Sequence, residues 1–369
     1  MTGLSNTLQD SCKREKYKVA IALSGGIDST ASALILKQRG YSIVGLLMQI
    51  QNKSFRLPKD IKACFGPVEE ERIEHTKLLC KKLDIPFYII DLRKEFEDIV
   101  LQYFRKEYLS GRTPNPCVIC NERIKFGFLI QKAEQKGIEF DLFATGHHAR
   151  VEKKGHRYCL KKGKDKNKDQ SYFLYRLNQS QLSRTIFPAG DFYKSELKEM
   201  IKTYGIEIRE ESQDFISHGS YSVLFRKDEV KKGYILNKEG KILGKHKGII
   251  HYTVGQRKGL GISSSRPLYV IKINAQKNEI VVGYKEDTYS KEMKVKDINL
   301  VSADRMDSPF RAKVKIRQQH KEACASLYPV SDGIKVIFDE PQMAITPGQS
   351  AVFYKEDMVL GGGIIESSV

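Results

Sequence analysis

The fold of this 369-residue chain is decided first by the stretch KVAIALSGGIDST, residues 18–30. An apolar run of strand length leads into two glycines and then into residues with helical spacing, so the stretch predicts a strand, a tight turn and a helix. Two glycines let backbone N–H groups approach an anion, and Ser24, Ser29 and Thr30 add hydroxyl donors at the predicted helix N-terminus. The stretch therefore predicts a phosphate-binding loop, with a plain capped turn as the alternative. It lacks the lysine of the G-x-x-x-x-G-K-[ST] loop.

The strand–helix alternation continues beyond this loop. Apolar runs of strand length recur at 41–50, 86–92 and 141–148. Segments with helical spacing separate these runs. Near-continuous apolar strands alternating with helices predict an α/β fold with a doubly wound parallel sheet. Short strands and Gly- and Lys-rich turns follow from about residue 214, and period-2 alternation from about 285 predicts a small antiparallel barrel or sandwich. The sequence thus predicts three domains, with the boundaries 1–213, 214–284 and 285–369.

Composition restricts the class of protein. The chain has 63 Lys and Arg against 45 Asp and Glu, a net charge of +18, which favours a polyanionic partner such as nucleic acid over a basic surface without one. Seven cysteines are too few and too odd in number for a disulfide scaffold. The first sixteen residues lack an apolar signal region, and no run of 18 apolar residues occurs. These features predict a cytoplasmic protein without a membrane partner.

Several motifs carry a family resemblance. SGGIDS, residues 24–29, resembles the pyrophosphate loop of the ATP pyrophosphatases, which cleave ATP to AMP and pyrophosphate. Further motifs resemble, in order and spacing, those of the tRNA-specific 2-thiouridylases: TPNPCVICNERIKFG (113–127), FATGHHAR (143–150), KDQSYFLY (168–175), HYTVGQRKGLGI (251–262) and TPGQSAVFY (346–354). The resemblance runs from about residue 18 to the C-terminus. It implies an ATP pyrophosphatase domain for adenylation and thiolation, followed by a small central domain and a C-terminal β-barrel that both bind tRNA.

The implied reaction is ATP-dependent 2-thiolation of the wobble uridine of tRNA. A uracil oxygen is a poor leaving group, so it must be adenylated before a sulfur nucleophile can displace it. The implied cofactors are ATP and Mg²⁺, with Asp28 as the metal-linked catalytic carboxylate. The resemblance assigns nucleotide binding to Ala22, Leu23, Ser24, Gly25, Gly26, Ile27, Asp28, Ser29, Met48, which would pack on adenine, and Gly146.

The thiolation site is implied by the C-x-x-C of PNPCVIC. Cys120 corresponds to the family's nucleophile, and Asn115, Pro116 and Cys117 correspond to the stretch that meets the target base. From the residues alone, a C-x-x-C is half a zinc site or a pair of buried thiols, but no second C-x-x-C or C-x-x-H is present. The charges of Arg123 and Lys125 and the start of a helix nearby predict a lowered pKa for the Cys120 thiol.

The family pattern fails at one position. Members usually carry a second catalytic cysteine, the persulfide carrier, where this chain has Ile216 in SQDFIS. Three hypotheses remain open. In the first, another cysteine carries the sulfur, either Cys117 or Cys64. In the second, Cys64, Cys117 and Cys120 ligate an iron–sulfur cluster. In the third, the chain is a paralogue that binds or adenylates RNA at this or another position without the usual thiolation. The first two require a sulfur donor protein such as a cysteine desulfurase or a relay protein.

The remaining residues implied by the resemblance face RNA. The partner is the tRNA anticodon stem-loop, and the wobble base must leave its stack to reach a buried site. The implied contacts are His147, Lys168, Asp169, Gln170, Arg317, Gln318 and Gln349. From the residues alone, the lysine-rich loop around 168 reads equally well as a solvated surface. A binding protein without chemistry would hold tRNA but release no pyrophosphate.

Overall fold

A computed structural model of the chain describes residues 17–52, 64–65, 69–206, 215 and 221–368. The chain divides into two compact units. The first comprises Met1–Glu97, Cys117–Ser217 and Asp357–Val359, and the second comprises Asp98–Pro116, His218–Glu356 and Leu360–Val369.

The first unit is built on a five-stranded parallel sheet in the order β3-β2-β1-β4-β7. Its strands are β1 (Lys18–Ala22), β2 (Ser42–Gln49), β3 (Phe87–Asp91), β4 (Leu142–Ala144) and β7 (Thr185–Ile186). The predicted α/β class and parallel sheet are confirmed. The chain passes from β1 to β2 on one side and places β4 on the other, so the strand order reverses at β1. Ligands bind outside the carboxyl ends of strands at such a point, and SGGIDS and ATGHH follow β1 and β4.

Helices cover this sheet. They are α1 (Ile27–Gln38), α2 (Glu69–Lys82), α3 (Arg93–Glu95), α5 (Pro116–Ile119), α6 (Leu129–Gln135), α7 (Gln179–Ser183) and α8 (Lys194–Thr203), and a π-helix (Cys120–Phe128) joins α5 to α6. A second π-helix, Phe96–Leu101, continues α3 into α4 (Gln102–Leu109). Apolar side chains of α1, α2 and α8 pack with those of β1 and β2 into one core. The hairpin of β5 (Ala149–Lys154) and β6 (Arg157–Lys162) completes the unit.

The second unit holds two β structures. One is a four-stranded sheet in the order β10-β11-β8-β9, formed by β8 (Gly233–Leu236), β9 (Ile242–His246), β10 (Tyr269–Asn274) and β11 (Glu279–Gly283). The other is a six-stranded antiparallel barrel in the order β12-β15-β14-β13-β16-β17, closed by the pairing of β12 with β17. Its strands are β12 (Tyr289–Leu300), β13 (Phe310–Lys315), β14 (Ala323–Val330), β15 (Gly333–Met343), β16 (Ser350–Lys355) and β17 (Met358–Ser368). Because the pairing of β12 with β17 closes the sheet, the structure is a barrel and not the sandwich that the period-2 alternation also allowed.

Residues 98–116 belong to the second unit, although they lie inside the first domain in sequence. Aromatic side chains explain this placement, because Tyr108 stacks on Tyr221 with ring centroids 5.2 Å apart and Phe104 meets Tyr221 edge-on at 5.8 Å. Arg105 adds a 2.8 Å ion pair with Glu229. The boundaries at 213 and 284 stay predictions. No helix within the described ranges combines the length and apolar composition needed to cross a bilayer.

Candidate nucleotide and thiolation site

The phosphate-binding loop turns at Gly25, whose φ of +76° lies in the left-handed region. A Cβ at Gly25 would come within 2.9 Å of Thr76 Oγ1 on α2, so the close approach of α2 also requires glycine here. The Ser24 N–H donates to Ser29 Oγ at 3.2 Å, and the Gly26 N–H donates to Ser24 Oγ at 3.4 Å. Both hydrogen bonds lie within the loop, which leads into the twelve-residue helix α1, and no side chain caps this helix at Gly26. The start of α1 fits the phosphates of ATP, since a helix N-terminus stabilises negative charge.

Asp28, in the first turn of α1, is held by two side chains that are distant in sequence. Lys194 Nζ donates to Asp28 Oδ1 at 2.7 Å, and His148 Nε2 lies 3.0 Å from the same oxygen. Burial acts to raise the pKa of Asp28, but the hydrogen bonds and charges of His148 and Lys194 lower it below its usual value. The carboxylate is therefore ionised at neutral pH. Lys194 thus brings an ammonium group to the SGGIDS loop, where it pairs with the Asp28 carboxylate.

Gly146 acts through packing. A Cβ there would lie 2.5 Å from Ser29 N and 2.6 Å from the Asp28 carbonyl carbon, so only glycine lets the loop after β4 rest on the start of α1. Met48 is half-buried near the end of β2, opposite Ile90 of β3. Both residues lie at the edge of the sheet that carries the phosphate loop, and their contact with the nucleotide stays a prediction.

The three residues of the KDQ motif, 168–170, differ in burial and in hydrogen bonding. Lys168 is exposed, whereas Asp169 is buried and its Oδ1 accepts hydrogen bonds from the N–H groups of Gly163 at 3.1 Å and Ser171 at 3.2 Å. Gln170 Oε1 accepts from the His148 N–H at 2.9 Å. Asp169 and Gln170 thus hold this loop and His148 in place, and the RNA contacts of all three motif residues stay predictions.

His147 is a neutral imidazole. Its Nδ1 lies 2.7 Å from Thr145 Oγ1, and its ring forms a triangular cluster with those of Phe126 and Phe187, whose centroids are 6.1 and 6.0 Å from its own. Burial, assisted by the charge of Lys125, lowers its pKa well below the usual range. A neutral histidine here can exchange hydrogen bonds but carries no charge for a phosphate, and its RNA contact stays a prediction.

The helix that begins at Cys120 is held by side chains from the YFLY region. A π-helix leaves backbone carbonyls displaced from regular pairing, and Gln181 Nε2 donates to the carbonyls of Glu122 and Phe126 at 3.0 Å each. Arg176 Nε donates to Glu122 Oε2 at 2.6 Å. The start of the Cys120–Phe128 π-helix is thereby fixed relative to the rest of the first unit.

Burial raises the pKa of the Cys120 thiol to about 12, with Lys125 lowering it and the nearby Cys64 and Cys117 adding to the increase. The prediction of a lowered pKa was therefore wrong. The thiol is 7% exposed, and desolvation outweighs the single nearby charge. Arg123 is exposed, and its charge is screened by solvent.

The three cysteines were also expected as candidate ligands of an iron–sulfur cluster. Across residues 17–52, 64–65, 69–206, 215 and 221–368, no group of three His, Cys, Asp or Glu side chains is placed to hold a metal ion. Cys64, Cys117 and Cys120 thus do not fit a cluster in this arrangement. Ile216 lies outside the described residues.

In the second unit, the TPGQS turn braces the TPNP segment. Gln349 Nε2 donates to the carbonyls of Thr113 at 3.2 Å and Pro114 at 3.1 Å. Asn115 and Pro116, which follow, are buried. The bracing positions the chain immediately before Cys117.

The barrel pair predicted to contact tRNA is partly engaged with the barrel itself. Arg317 Nη1 donates to the Met343 carbonyl at 3.2 Å, and Gln318 is half-buried. The RNA contacts of Arg317, Gln318 and Gln349 stay predictions, as do those of Asn115 and Pro116.

Sequence reasoning missed Lys194 and His148. Lys194 is 166 residues from Asp28, and it lies in none of the motifs of the sequence analysis. His148 could have been found from the ATGHH motif, because it follows β4 at the carboxyl edge of the sheet.

Family profiles match nearly the whole chain. The profile described as the tRNA methyl transferase HUP domain matches residues 17–217, the tRNA methyl transferase PRC-barrel domain matches 222–284, and the aminomethyltransferase beta-barrel domain matches 290–365. A solved 4-thiouridine synthetase–RNA complex with bound ATP overlaps with a TM-score of 0.33 and 19% identity over 57% of this chain and 42% of that chain. That overlap is too low to place any residue.

Curated relatives are much more similar. The tRNA-specific 2-thiouridylase MnmA of Clostridium botulinum (strain Alaska E43 / Type E3) is 42% identical over 96% of this chain and 99% of its own length. The proteins of the same name from Clostridium perfringens (strain 13 / Type A) and Acetivibrio thermocellus are 43% and 42% identical to this chain. Each match covers 95% of this chain and 99% of the relative. At this identity over nearly the whole length of each protein, the chain belongs to the family of the tRNA-specific 2-thiouridylases.

Proposed function

We propose that this chain uses ATP to replace O2 of the tRNA wobble uridine with sulfur. The observation that carries the proposal is one unit that joins a phosphate loop, completed by Lys194, to the buried thiol of Cys120. The ring of Phe126, on the helix that begins at Cys120, lies 6.1 Å from that of His147, so the helix of the thiol and the loop after β4 lie close together. Relatives with this organisation are named tRNA-specific 2-thiouridylases.

Adenylation is the first step. Uridine O2 attacks the α-phosphorus of ATP while the N3 proton of the base is lost to solvent, the bond to the β-phosphate bridging oxygen breaks, and pyrophosphate leaves. The amides of the SGGIDS loop, the N-terminus of α1 and Lys194 stabilise the negative charge on the phosphates as it develops. Asp28 acts indirectly, because its ionised carboxylate holds the Lys194 ammonium at the loop. Mg²⁺, when bound, would act as a counterion of the ATP phosphates.

Sulfur transfer follows. The Cys120 sulfur attacks C2 of the adenylated base, and AMP leaves with the former O2. A pKa of about 12 leaves only about one thiol in 10⁵ ionised at neutral pH. We infer that binding of the adenylated base activates the thiol, since a buried thiol at rest resists oxidation and wasteful reaction. A sulfur source then displaces Cys120 and leaves 2-thiouridine.

The proposal includes partners and location. The net charge of +18 suits a polyanion such as the tRNA anticodon stem-loop. A persulfide-bearing sulfur donor, such as a cysteine desulfurase or a relay protein, supplies the sulfur, and the reaction takes place in the cytoplasm.

The test combines purified protein, ATP, Mg²⁺, unmodified tRNA and hydrosulfide under anaerobic conditions. Nucleosides from digested tRNA are analysed by mass spectrometry, and AMP and pyrophosphate are measured in parallel. We expect 2-thiouridine with the wild-type chain and none with Cys120→Ser. Thiouridine that persists in Cys120→Ser would contradict the role of Cys120.

One observation favours a second candidate. Ile216 replaces the cysteine that the family uses as a sulfur carrier, so a paralogue that adenylates or binds RNA without thiolation is the alternative. It predicts tRNA-dependent pyrophosphate release, or tRNA binding alone, with no 2-thiouridine from either hydrosulfide or a persulfide donor.

A further inference from the structure

The segment that carries Cys64 is tied to the segment that carries Ile216. The Phe65 N–H donates to the Phe215 carbonyl at 3.1 Å, and the two rings stack with centroids 6.1 Å apart and planes 18° apart. Phe65 is fully buried and also stacks on Phe96 at 5.5 Å. Cys64 precedes Phe65, and Ile216 follows Phe215 in sequence. Cys64 is therefore one residue in sequence from a side chain that contacts Phe215, the neighbour in sequence of the position that lacks the usual carrier cysteine.

Cys64 is also anchored toward the phosphate loop. Its carbonyl accepts a hydrogen bond from Arg72 Nη1 at 3.3 Å, and Arg72 Nη2 pairs with Glu69 Oε1 at 3.3 Å. The buried Glu69 carboxylate in turn accepts from the N–H groups of Ile50 and Gln51 at 2.8 and 3.0 Å, just beyond the carboxyl end of β2. This chain of contacts holds Cys64 at the sheet edge where the phosphate loop also lies.

The Cys64 thiol lies within electrostatic range of Cys120. Among the groups that act on the Cys120 thiol are both Cys64 and Cys117. Cys117 precedes Cys120 by three residues on the same helical stretch. Cys64 is instead distant from Cys120 in sequence and is half-buried. A carrier on a separate segment can receive sulfur from a donor and then meet Cys120 without unwinding a helix.

We propose that Cys64 is the persulfide carrier of this chain, replacing the cysteine that is absent at position 216. The inference rests on the proposed function, because it assigns the sulfur route of the same reaction. It distinguishes Cys64 from Cys117, which the sequence alone could not.

Sulfur transfer through Cys64 requires one external reductant, a dithiol. A donor persulfide transfers its outer sulfur to Cys64, which leaves the donor as a thiol and Cys64 as a persulfide. The terminal sulfur of that persulfide attacks C2 of the base and displaces Cys120 as a thiol. Cys120 then attacks the Cys64 sulfur, its proton passes to N3 of the base, and 2-thiouridine leaves. The two electrons that reduce the transferred sulfur come from Cys64 and Cys120, which become a disulfide that an external dithiol reduces.

The experiment supplies sulfur in two ways to the full-length protein with ATP and unmodified tRNA. One arm contains a cysteine desulfurase with L-cysteine, and the other contains sodium hydrosulfide, which needs no carrier. The variants are Cys64→Ser, Cys117→Ser and Cys120→Ser, with Cys324→Ser as the control because Cys324 is exposed on the barrel. A second readout maps disulfides by peptide mass spectrometry after one turnover without reductant.

In the desulfurase arm, we expect Cys64→Ser to form at least about 20-fold less 2-thiouridine than the wild-type chain. We expect hydrosulfide to restore product formation in Cys64→Ser but not in Cys120→Ser. We also expect a turnover-dependent Cys64–Cys120 disulfide in the wild-type chain. Full desulfurase-driven activity in Cys64→Ser, or loss in Cys117→Ser with a Cys117–Cys120 disulfide, would overturn the assignment. Absence of thiouridine from the wild-type chain in both arms would instead overturn the proposed function and the assignment with it. Recovery by hydrosulfide excludes misfolding as the cause of the loss.

Discussion

Replacing Lys194 by methionine tests whether this lysine completes the phosphate loop. Lys194 Nζ lies 2.7 Å from Asp28 Oδ1, and the two side chains are only 13% and 17% exposed. At an effective dielectric constant of about 20, this separation corresponds to a gross attraction of about 6 kcal/mol. Desolvation cancels much of it, so the net cost of leaving Asp28 without this partner is about 2–3 kcal/mol of folding free energy. His148 stays bonded to Asp28 and limits the cost.

The effect on catalysis is separate from the effect on stability. Removing one preorganised donor from developing negative charge costs about 10²–10³-fold in rate, so we expect tRNA-dependent pyrophosphate release to fall by that factor in Lys194→Met. Asp28→Asn in the same chain removes the unpaired carboxylate. The double variant should therefore recover much of the stability lost in Lys194→Met, by thermal or urea unfolding, but none of the rate.

The matched control is Lys198→Met, since Lys198 is exposed on the same helix. We expect this control to retain wild-type pyrophosphate release and unfolding temperature. Pyrophosphate release within about threefold of wild type in Lys194→Met, at a concentration of ATP that saturates both proteins, would refute the reasoning. So would a double variant that is no more stable than Lys194→Met.

Three further predictions follow from the site and the charge. Cys120 should react with iodoacetamide much more slowly at pH 8 than the exposed Cys324, and its rate should rise as the pH approaches about 12, measured by peptide mass spectrometry. Because its pKa is raised above about 8.5, the unfolded value, the buried thiol stabilises the fold fully below that pH and the stabilisation is lost as the pH rises toward about 12. Gly25→Ala should cost about 2–4 kcal/mol of folding free energy and weaken ATP binding, because the added Cβ combines a positive φ with a contact of 2.9 Å to Thr76. The control Gly40→Ala has a φ of +80° but lies in open space, so it should cost only about 1–2 kcal/mol. The affinity for tRNA should fall by about 10³-fold or more between about 50 and about 200 mM salt, measured by filter binding.

Each of these has a clear contrary result. Equal alkylation rates for Cys120 and Cys324 at pH 8 would contradict the burial of Cys120. Equal losses of stability in Gly25→Ala and Gly40→Ala would show that α2 does not press on the loop. A tRNA affinity that is independent of salt would remove phosphate contacts as the main source of binding.

Local sequence determined much of this protein. The parallel sheet follows from apolar runs of strand length separated by helical spacing, and the loop at Gly25 follows from two glycines between a strand and a helix. These signals are local, since strand burial and a left-handed turn depend on neighbouring residues. The barrel strands were equally visible from their period of two, but closure of β12 on β17 depends on contacts about 70 residues apart in sequence. The motif blocks identified the family because each is contiguous.

Only the tertiary structure decided the electrostatics of the site. Lys194 meets Asp28 across 166 residues of sequence, a pairing that no local pattern encodes. Neighbouring positive charges predicted a reactive thiol at Cys120, yet burial in the assembled fold raises its pKa, because desolvation depends on everything packed around the sulfur. The contact between Phe65 and Phe215 is of the same kind, because it joins two residues that are 150 positions apart in the sequence. Sequence thus determined which residue types are present and in which local conformations, and the folded chain determined which of them meet and how strongly they ionise.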